Sequence, residues 1–280
     1  MIVDSDKRTL RIKAGVEAIA VTETRHESGE LGAEPHIHSH HTDAFYVLEG
    51  SVLFELGPDA EAVQAASGSF VAAPPGVVHG FRNKSPDRTR FLNFHAPSEH
   101  FHDYLRAIRA GDDADWFDQW DPPSDRGRPF SEAVVLGPGE GELVQVGASS
   151  VLIKSTGKMT GGRLFLSESV IEPGFPGPPL HVHRELHDLF YVLEGTLMLR
   201  MGGQTLAAAP GTFACFLPGT AHTFSNEDGT APVRFLNFNT PAGWENYMRD
   251  LGAAFVGDRP PTPETVGKLA SRYDFDVVAS

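Results

Sequence analysis

The sequence predicts an all-β protein built as two copies of one unit. Three observations carry this. Short runs rich in Val, Phe, Leu and Thr alternate with Gly- and Pro-bearing turns, drawing on 29 Gly and 21 Pro, the pattern of a β-sandwich or barrel. Long helical periodicity is almost absent. Segments of the first half also recur in the second. DAFYVLEG (Asp43–Gly50) returns as DLFYVLEG (Asp188–Gly195), 145 residues on, and the His36–His38 pair returns as His181–His183 at the same offset. RFLNF (Arg90–Phe94) returns unchanged at Arg234–Phe238, and PGVVHGFRN (Pro75–Asn83) as PGTAHTFSN (Pro218–Asn226). The offset drifts by only two residues, from 145 to 143, and such a repeat marks two copies of one fold.

In chain order, residues 1–120 form the first β-unit, 121–140 a linker, and 141–280 the second unit. Each copy closes on a short helix. Phe101, Tyr104, Leu105 and Ile108 make an amphipathic stripe, and Trp244, Tyr247, Met248 and Leu251 repeat its spacing; both stripes read as packing. Gly111–Gly127, rich in Asp, reads as solvated, with a lid carrying Trp116 and Trp120 as the alternative. Near the end, Thr262 is placed to cap a terminal helix that starts at Pro263.

Composition removes several function classes. With 23 Lys+Arg against 37 Asp+Glu, the net charge is −14. That charge repels phosphate backbones and anionic membrane surfaces, so neither nucleic acid nor membrane is an expected partner. Cys215 is the single cysteine, which excludes an intramolecular disulfide and any Cys-rich metal cluster. It reads as a small core residue. No apolar run reaches the length of a membrane span, and the N-terminus lacks the apolar stretch of a secretory signal. A cytoplasmic protein is the expectation.

The chemistry sits in the histidines. His36 and His38 are two apart, so on a strand both face one side. With Asp43 and His79 they make three imidazoles and a carboxylate, a set suited to a first-row divalent metal with positions left for water or substrate. His181, His183, Asp188 and His222 repeat the set in order. Around them, His40 and His41 read as part of a solvated loop, and Glu185 is the competing acid in the second copy. One of each aromatic pair, Phe45/Tyr46 and Phe190/Tyr191, is placed to line a pocket.

At these residues the chain resembles the cupin superfamily. Its first motif has a His-x-His pair, an acid and a glycine, matched by His36, His38 and Gly50 and by His181, His183 and Gly195. Its second motif is matched by Gly68, Pro74, Gly76, His79 and Asn83, and by Gly219, His222 and Asn226. The acid is normally Glu, and both copies carry Asp. The first motif's opening glycine is displaced, with Glu30 and Phe175 at its usual place and Gly32 and Gly177 two residues nearer. In copy two Leu217 replaces a proline, and Gly211 lies one residue further from Pro218.

The resemblance implies a bicupin, with two tandem double-stranded β-helix (jelly-roll) barrels, short C-terminal helices and pairing into a homodimer. Among bicupins it is similar to the quercetin dioxygenase-like group. That implies a divalent transition metal (Fe, Mn, Ni, Cu or Co), one per barrel, held by His36, His38, Asp43 and His79 and by His181, His183, Asp188 and His222. Asp43 and Asp188 would serve as ligand or general base. The implied reaction is dioxygenation, with O2, of a flavonol, catechol or enol-type small molecule. A metal-dependent isomerase, cyclase or decarboxylase is the alternative, as is a non-enzymatic binding cupin. Oxalate chemistry wants a cationic pocket, and no arginine is placed for one by the sequence.

Overall fold

The computed structural model describes residues 5–112, 114, 118–123, 132–255 and 259–278. The chain divides into two compact units, residues 1–140 with 158–163 and residues 141–157 with 164–280. Trp116, one of the two tryptophans of the alternative lid reading, lies outside the described residues.

Each unit is a pair of antiparallel sheets. In the first, the larger sheet runs in the order Arg8–Val16, Ile19–His26, Thr89–Ala96, Thr42–Glu49, Phe70–Ala73 and Val134–Leu136. The smaller runs Leu31–His36, His79–Arg82, Ser51–Leu56 and Glu61–Ala66. The second unit repeats this plan. Its large sheet is Glu142–Val146, Ser149–Ser155, Phe165–Ile171, Val233–Thr240, His187–Glu194 and Phe213–Phe216. Its small sheet is Gln204–Ala208, Leu197–Met201, His222–Ser225, His181–Val182 and Asp276–Val277. The repeated order is that of two jelly rolls. Residues 121–140, read as a linker, supply Val134–Leu136, which pairs with Phe70–Ala72 in the first unit.

Alternating side chains fill the space between the sheets. In the first unit Phe45, Val47, Val71 and Phe91 of the large sheet meet Val52, Phe54 and Leu56 of the small one. Phe190, Val192 and Phe235 meet Leu197 and Leu199 in the second. Phe45 and Phe190 are thus core residues, and cavity walls come from other aromatics, as described below. The helix stripes pack as expected. Phe101 and Leu105 join Leu10 and Ala20, while Trp244 and Tyr247 join Val151, Ile153 and Phe165. The terminal helix is Pro263–Ala270, with Thr262 Oγ1 accepting the Thr265 N–H at 3.2 Å.

His26 is buried at 1% exposure between Phe81 and Phe91. Burial first, and the charge of Arg8 second, push its pKa down to about 3. Its folded-state pKa therefore lies below the unfolded value of about 6.5. Stability linked to neutral His26 is complete above that value and is lost as pH falls from about 6.5 towards 3. Replacing it with Phe, which suits this aromatic niche, is expected to flatten the acid limb of a stability-versus-pH curve measured by urea unfolding. An unchanged limb would contradict this.

Candidate metal centres

Strand pairing brings each His/Asp set together. His36 stands opposite His79 across the small sheet of the first unit, and His181 opposite His222 in the second. Asp43 and Asp188 arrive from the large sheets, opposite His95 and Asn239 respectively. All four side chains of each set are buried, and one donor atom from each lies within 4.8 Å of the others.

Hydrogen bonds orient the donors. His36 Nδ1–H donates to the Glu34 carbonyl at 2.8 Å, His79 Nδ1–H to Val77 at 2.9 Å and His38 Nδ1–H to Asp118 at 2.6 Å. In the second unit His181 donates to Pro179 at 2.9 Å, His222 to Thr220 at 2.8 Å, and His183 to the Asp274 carbonyl. Every Nδ1 is thus occupied by a carbonyl, which fixes the tautomer and turns the Nε2 lone pair inward, the arrangement a bound divalent ion requires. The carboxylates are held in the same way. Asp43 Oδ1 accepts from Asn93, and Asp188 Oδ1 accepts from both Asn237 and Asn239 at 2.6 Å. The other oxygen, Oδ2, faces the imidazoles, 3.2 Å from His79 Nε2 and 3.0 Å from His222 Nε2.

The electrostatics agree. Burial alone would raise the Asp43 carboxyl, but the neighbouring imidazoles of His95, His38 and His79 hold it well below the usual carboxylate range. Against the same burial, His183 and His222 hold Asp188 low. Burial lowers His36, and takes His38 and His181 down to about 4, so these imidazoles keep their lone pairs at neutral pH. His183 differs. Burial opposes its charge, but Asp188 and Asp274 outweigh that and raise it. His183 Nε2 is also buried without a hydrogen-bond partner among the described residues. An orphaned lone pair aimed at a carboxylate 3.7 Å away is what a shared cation would satisfy. The donors fit a divalent metal.

The competing residues fall elsewhere. Glu185 is exposed, so Asp188 is the acid of the second set. Cys215 is half-buried, its thiol pushed up to about 11 by burial and by Asp188, which disqualifies it as a nucleophile. Of the loop read as solvated, His40 is 63% exposed but His41 is fully buried.

Two acids were missed in the sequence. Asp118, in the segment read as solvated, has no exposed surface. Besides holding His38, it accepts the backbone N–H groups of Ser39 and His40 and the His41 imidazole. Asp274 does the same in the second unit, its carboxylate accepting from Arg184, Glu185 and Leu186. In both units a returning strand-like segment locks the His-x-His loop. Trp120 bridges Ile37 through its backbone while its side chain stays 52% exposed. Replacing Asp274 by Ala keeps the carbonyl but loses three anchors. It is expected to weaken metal binding in the second unit by about 10–100-fold, read by competition with a chromogenic chelator; unaltered affinity would contradict that role.

Residues 23–95 and again 167–239 match the family model described as the cupin domain. The chain belongs to the cupin family. It is a bicupin, with one domain in each unit. Over 92 residues it is 34% identical to quercetin 2,3-dioxygenase of Bacillus subtilis, a stretch that is 32% of this chain and 26% of that enzyme. Among solved structures it is similar to a putative glyoxylate-induced protein from Pseudomonas aeruginosa, with TM-score 0.61, 17% identity, and 84% and 80% of the two chains covered. A variant of Bacillus subtilis oxalate decarboxylase gives 0.56, 16%, 81% and 70%. The 11S globulin procruciferin of Brassica napus gives 0.58, 12%, 87% and 83%. At these identities the structures support the fold alone. No helix among the described residues of the bicupin is long and apolar enough to cross a membrane.

The two domains differ in the space beside their His/Asp sets. In the first, a cavity of ≈ 40 Å³ reaches His36, His38 and Asp43, room for a few waters or a diatomic molecule, and a more open, polar cleft of ≈ 450 Å³ beside it reaches His36 but not Asp43. Arg8 reaches its wall, a placement missed in the sequence, but is engaged by Glu30 at 2.9 Å and by the Leu31 carbonyl. In the second, a cavity of ≈ 240 Å³ opens on His181 and Asp188. Its wall is aromatic, with Phe175, Phe224, Phe235, Trp244, Tyr247 and Phe275, and Ser167, Ser169 and Asn237 add polar points. No Lys or Arg is among the described residues lining it. The displaced glycines serve these walls. A Cβ on Gly32 would sit 2.1 Å from the Phe81 ring, and one on Gly177 would sit 1.9 Å from the Phe224 carbonyl oxygen, at a φ of +85°.

Proposed function

We propose that this bicupin is a metal-dependent, dioxygenase-like enzyme acting with O2 on a flavonol, catechol or enol-type molecule, and that the organic substrate is taken by the second domain. His36, His38, Asp43 and His79 hold one divalent transition ion, and His181, His183, Asp188 and His222 the other. The ≈ 240 Å³ aromatic cavity resting on His181 and Asp188 carries this reading. It matches a flat, largely apolar ligand with one ionisable oxygen. In the first domain the ≈ 40 Å³ cavity at Asp43 is too small for such a molecule, and the ≈ 450 Å³ cleft that reaches His36 does not touch Asp43 and is lined largely by polar groups, among them Arg8, Glu30, Glu34 and Asp121. Similarity to a quercetin 2,3-dioxygenase supports the reaction class. A dicarboxylate is disfavoured, since an aromatic wall without a cationic side chain leaves its second charge unmatched.

When bound, the ion supplies Lewis-acid polarisation of a substrate oxygen. The chain does the rest. Phe275, stacked on His181 with ring centroids 4.2 Å apart, and Phe216, stacked on His222 at 4.2 Å, fix the imidazole planes. Asn237 and Asn239 leave only Asp188 Oδ2 available to accept the substrate's hydroxyl proton. Trp244 and Tyr247 exclude water from that carboxylate. The reading includes a homodimer, checked by light scattering.

The reaction class is tested by O2 uptake with the metal-loaded protein against a panel of flavonols and catechols. The reading expects uptake coupled to loss of the flavonol or catechol absorbance. Substrate loss without O2 uptake would instead support the isomerase or decarboxylase alternative, and tight binding with neither would support a binding cupin.

A further inference from the structure

A third group of buried donors lies beside the first set. His38, His41 and His95 bring one ring nitrogen each within 4.8 Å of the others. Their hydrogen bonds decide which nitrogens carry protons. Asn93 Nδ2 donates to Asp43 Oδ1 and to the Ala44 carbonyl. Its Oδ1 is therefore an acceptor, and His95 Nε2–H donates to it at 2.9 Å, so His95 Nδ1 bears the lone pair. Asp118 Oδ2 accepts His41 Nδ1–H at 2.5 Å, so His41 Nε2 bears its lone pair. These two nitrogens are 3.0 Å apart. A shared proton or a metal ion must lie with two ring nitrogens at that distance. His38, whose Nδ1–H is given to Asp118, contributes a third lone pair through Nε2.

The fold does not demand this cluster. Where the first domain has His41 and His95, the second has Leu186 and Asn239 at the repeat-equivalent positions, and its His/Asp set assembles just as well. We propose that the first domain carries an additional cation seat made by His38, His41 and His95. It adjoins the His36/His38/Asp43/His79 set, and His38 is common to both. An imidazole Nε2 has one lone pair, so the seats are alternatives for a single ion. Three imidazole nitrogens select borderline ions such as Co2+, Ni2+, Cu2+ or Zn2+ over Mg2+ or Ca2+. The inference rests on the four-residue reading only through the shared His38.

Co2+ bound at equilibrium, with its visible spectrum, tests this on the full chain. His181→Ala with His222→Ala removes the four-residue set where no second seat exists, and binding should fall from about two equivalents to about one. Failure of that fall would count against the four-residue reading itself. His36→Ala with His79→Ala makes the same cut in the first domain. Here binding should stay near two equivalents with an altered Co2+ spectrum, because the ion moves to His38, His41 and His95. Adding His41→Leu and His95→Asn, which copies the second domain, should then bring it to about one, and the equivalent remaining in the second domain reports that each variant is folded. A drop to one equivalent in the His36/His79 variant alone would overturn the proposal. So would retention of two after the further changes.

Discussion

Asp188→Asn is expected to remove the second domain's ion and, with it, turnover of the organic substrate, by about 10²–10⁴-fold. The structure decides how the new amide would sit. Asn237 and Asn239 both present N–H groups to Oδ1, so the oxygen of the substituted side chain must stay on their side. Its NH2 then replaces Oδ2 among the inward-facing imidazoles, where a donor repels a cation. Metal and activity fall together. Asp43→Asn makes the parallel change against Asn93 and should displace the first domain's ion from its four-residue set while turnover persists, because the aromatic cavity opens on Asp188. Metal analysis beside initial rates separates the pair. Equal loss of rate in the two variants would contradict the division between the domains.

Removing the metals should cost the protein stability as well as activity. Each set buries three inward lone pairs and a carboxylate, a cluster that repels itself until a cation is shared. An ion bound at a free concentration about 1,000 times its Kd stabilises by about 4 kcal/mol. Chelation is therefore expected to lower the unfolding midpoint by several degrees in scans followed by circular dichroism. Protein already carrying His181→Ala and His222→Ala should show a smaller drop than wild type. Identical midpoints with and without chelator would contradict the burial argument.

The repeat made the architecture legible. Closely similar segments at offsets of 143–145 residues mark two copies of a β-unit, and strand alternation puts His36 and His38 on one side. The residues that orient these donors were less visible, for different reasons. Asn93 and Asn237 lie inside the repeated RFLNF, and a polar residue recurring in an otherwise apolar strand was a usable signal. Asp118 and Asp274 were hidden because the segments carrying them return to the His-x-His loop over different chain lengths. They keep no common offset with the other repeats, and only an aromatic residue before each Asp is shared. The burial of His41 depends on Asp118 arriving from 77 residues away, a contact that local polarity cannot signal. The cavity walls were missed because strand neighbours of the donors point into the sheet-to-sheet core. The aromatics beside the second set come instead from Trp244, Tyr247 and Phe275, which the chain brings in from beyond the last long strand.

The central claim, that an organic substrate meets the ion of the second domain, is tested most directly by anaerobic titration of a flavonol into Co2+-loaded protein. The visible Co2+ bands report the ion's surroundings without turnover. The account predicts a saturable change in those bands for wild type and for Asp43→Asn, and none for protein carrying His181→Ala with His222→Ala. The same change in that double variant, or its loss in Asp43→Asn alone, would place the substrate in the first domain and contradict the account.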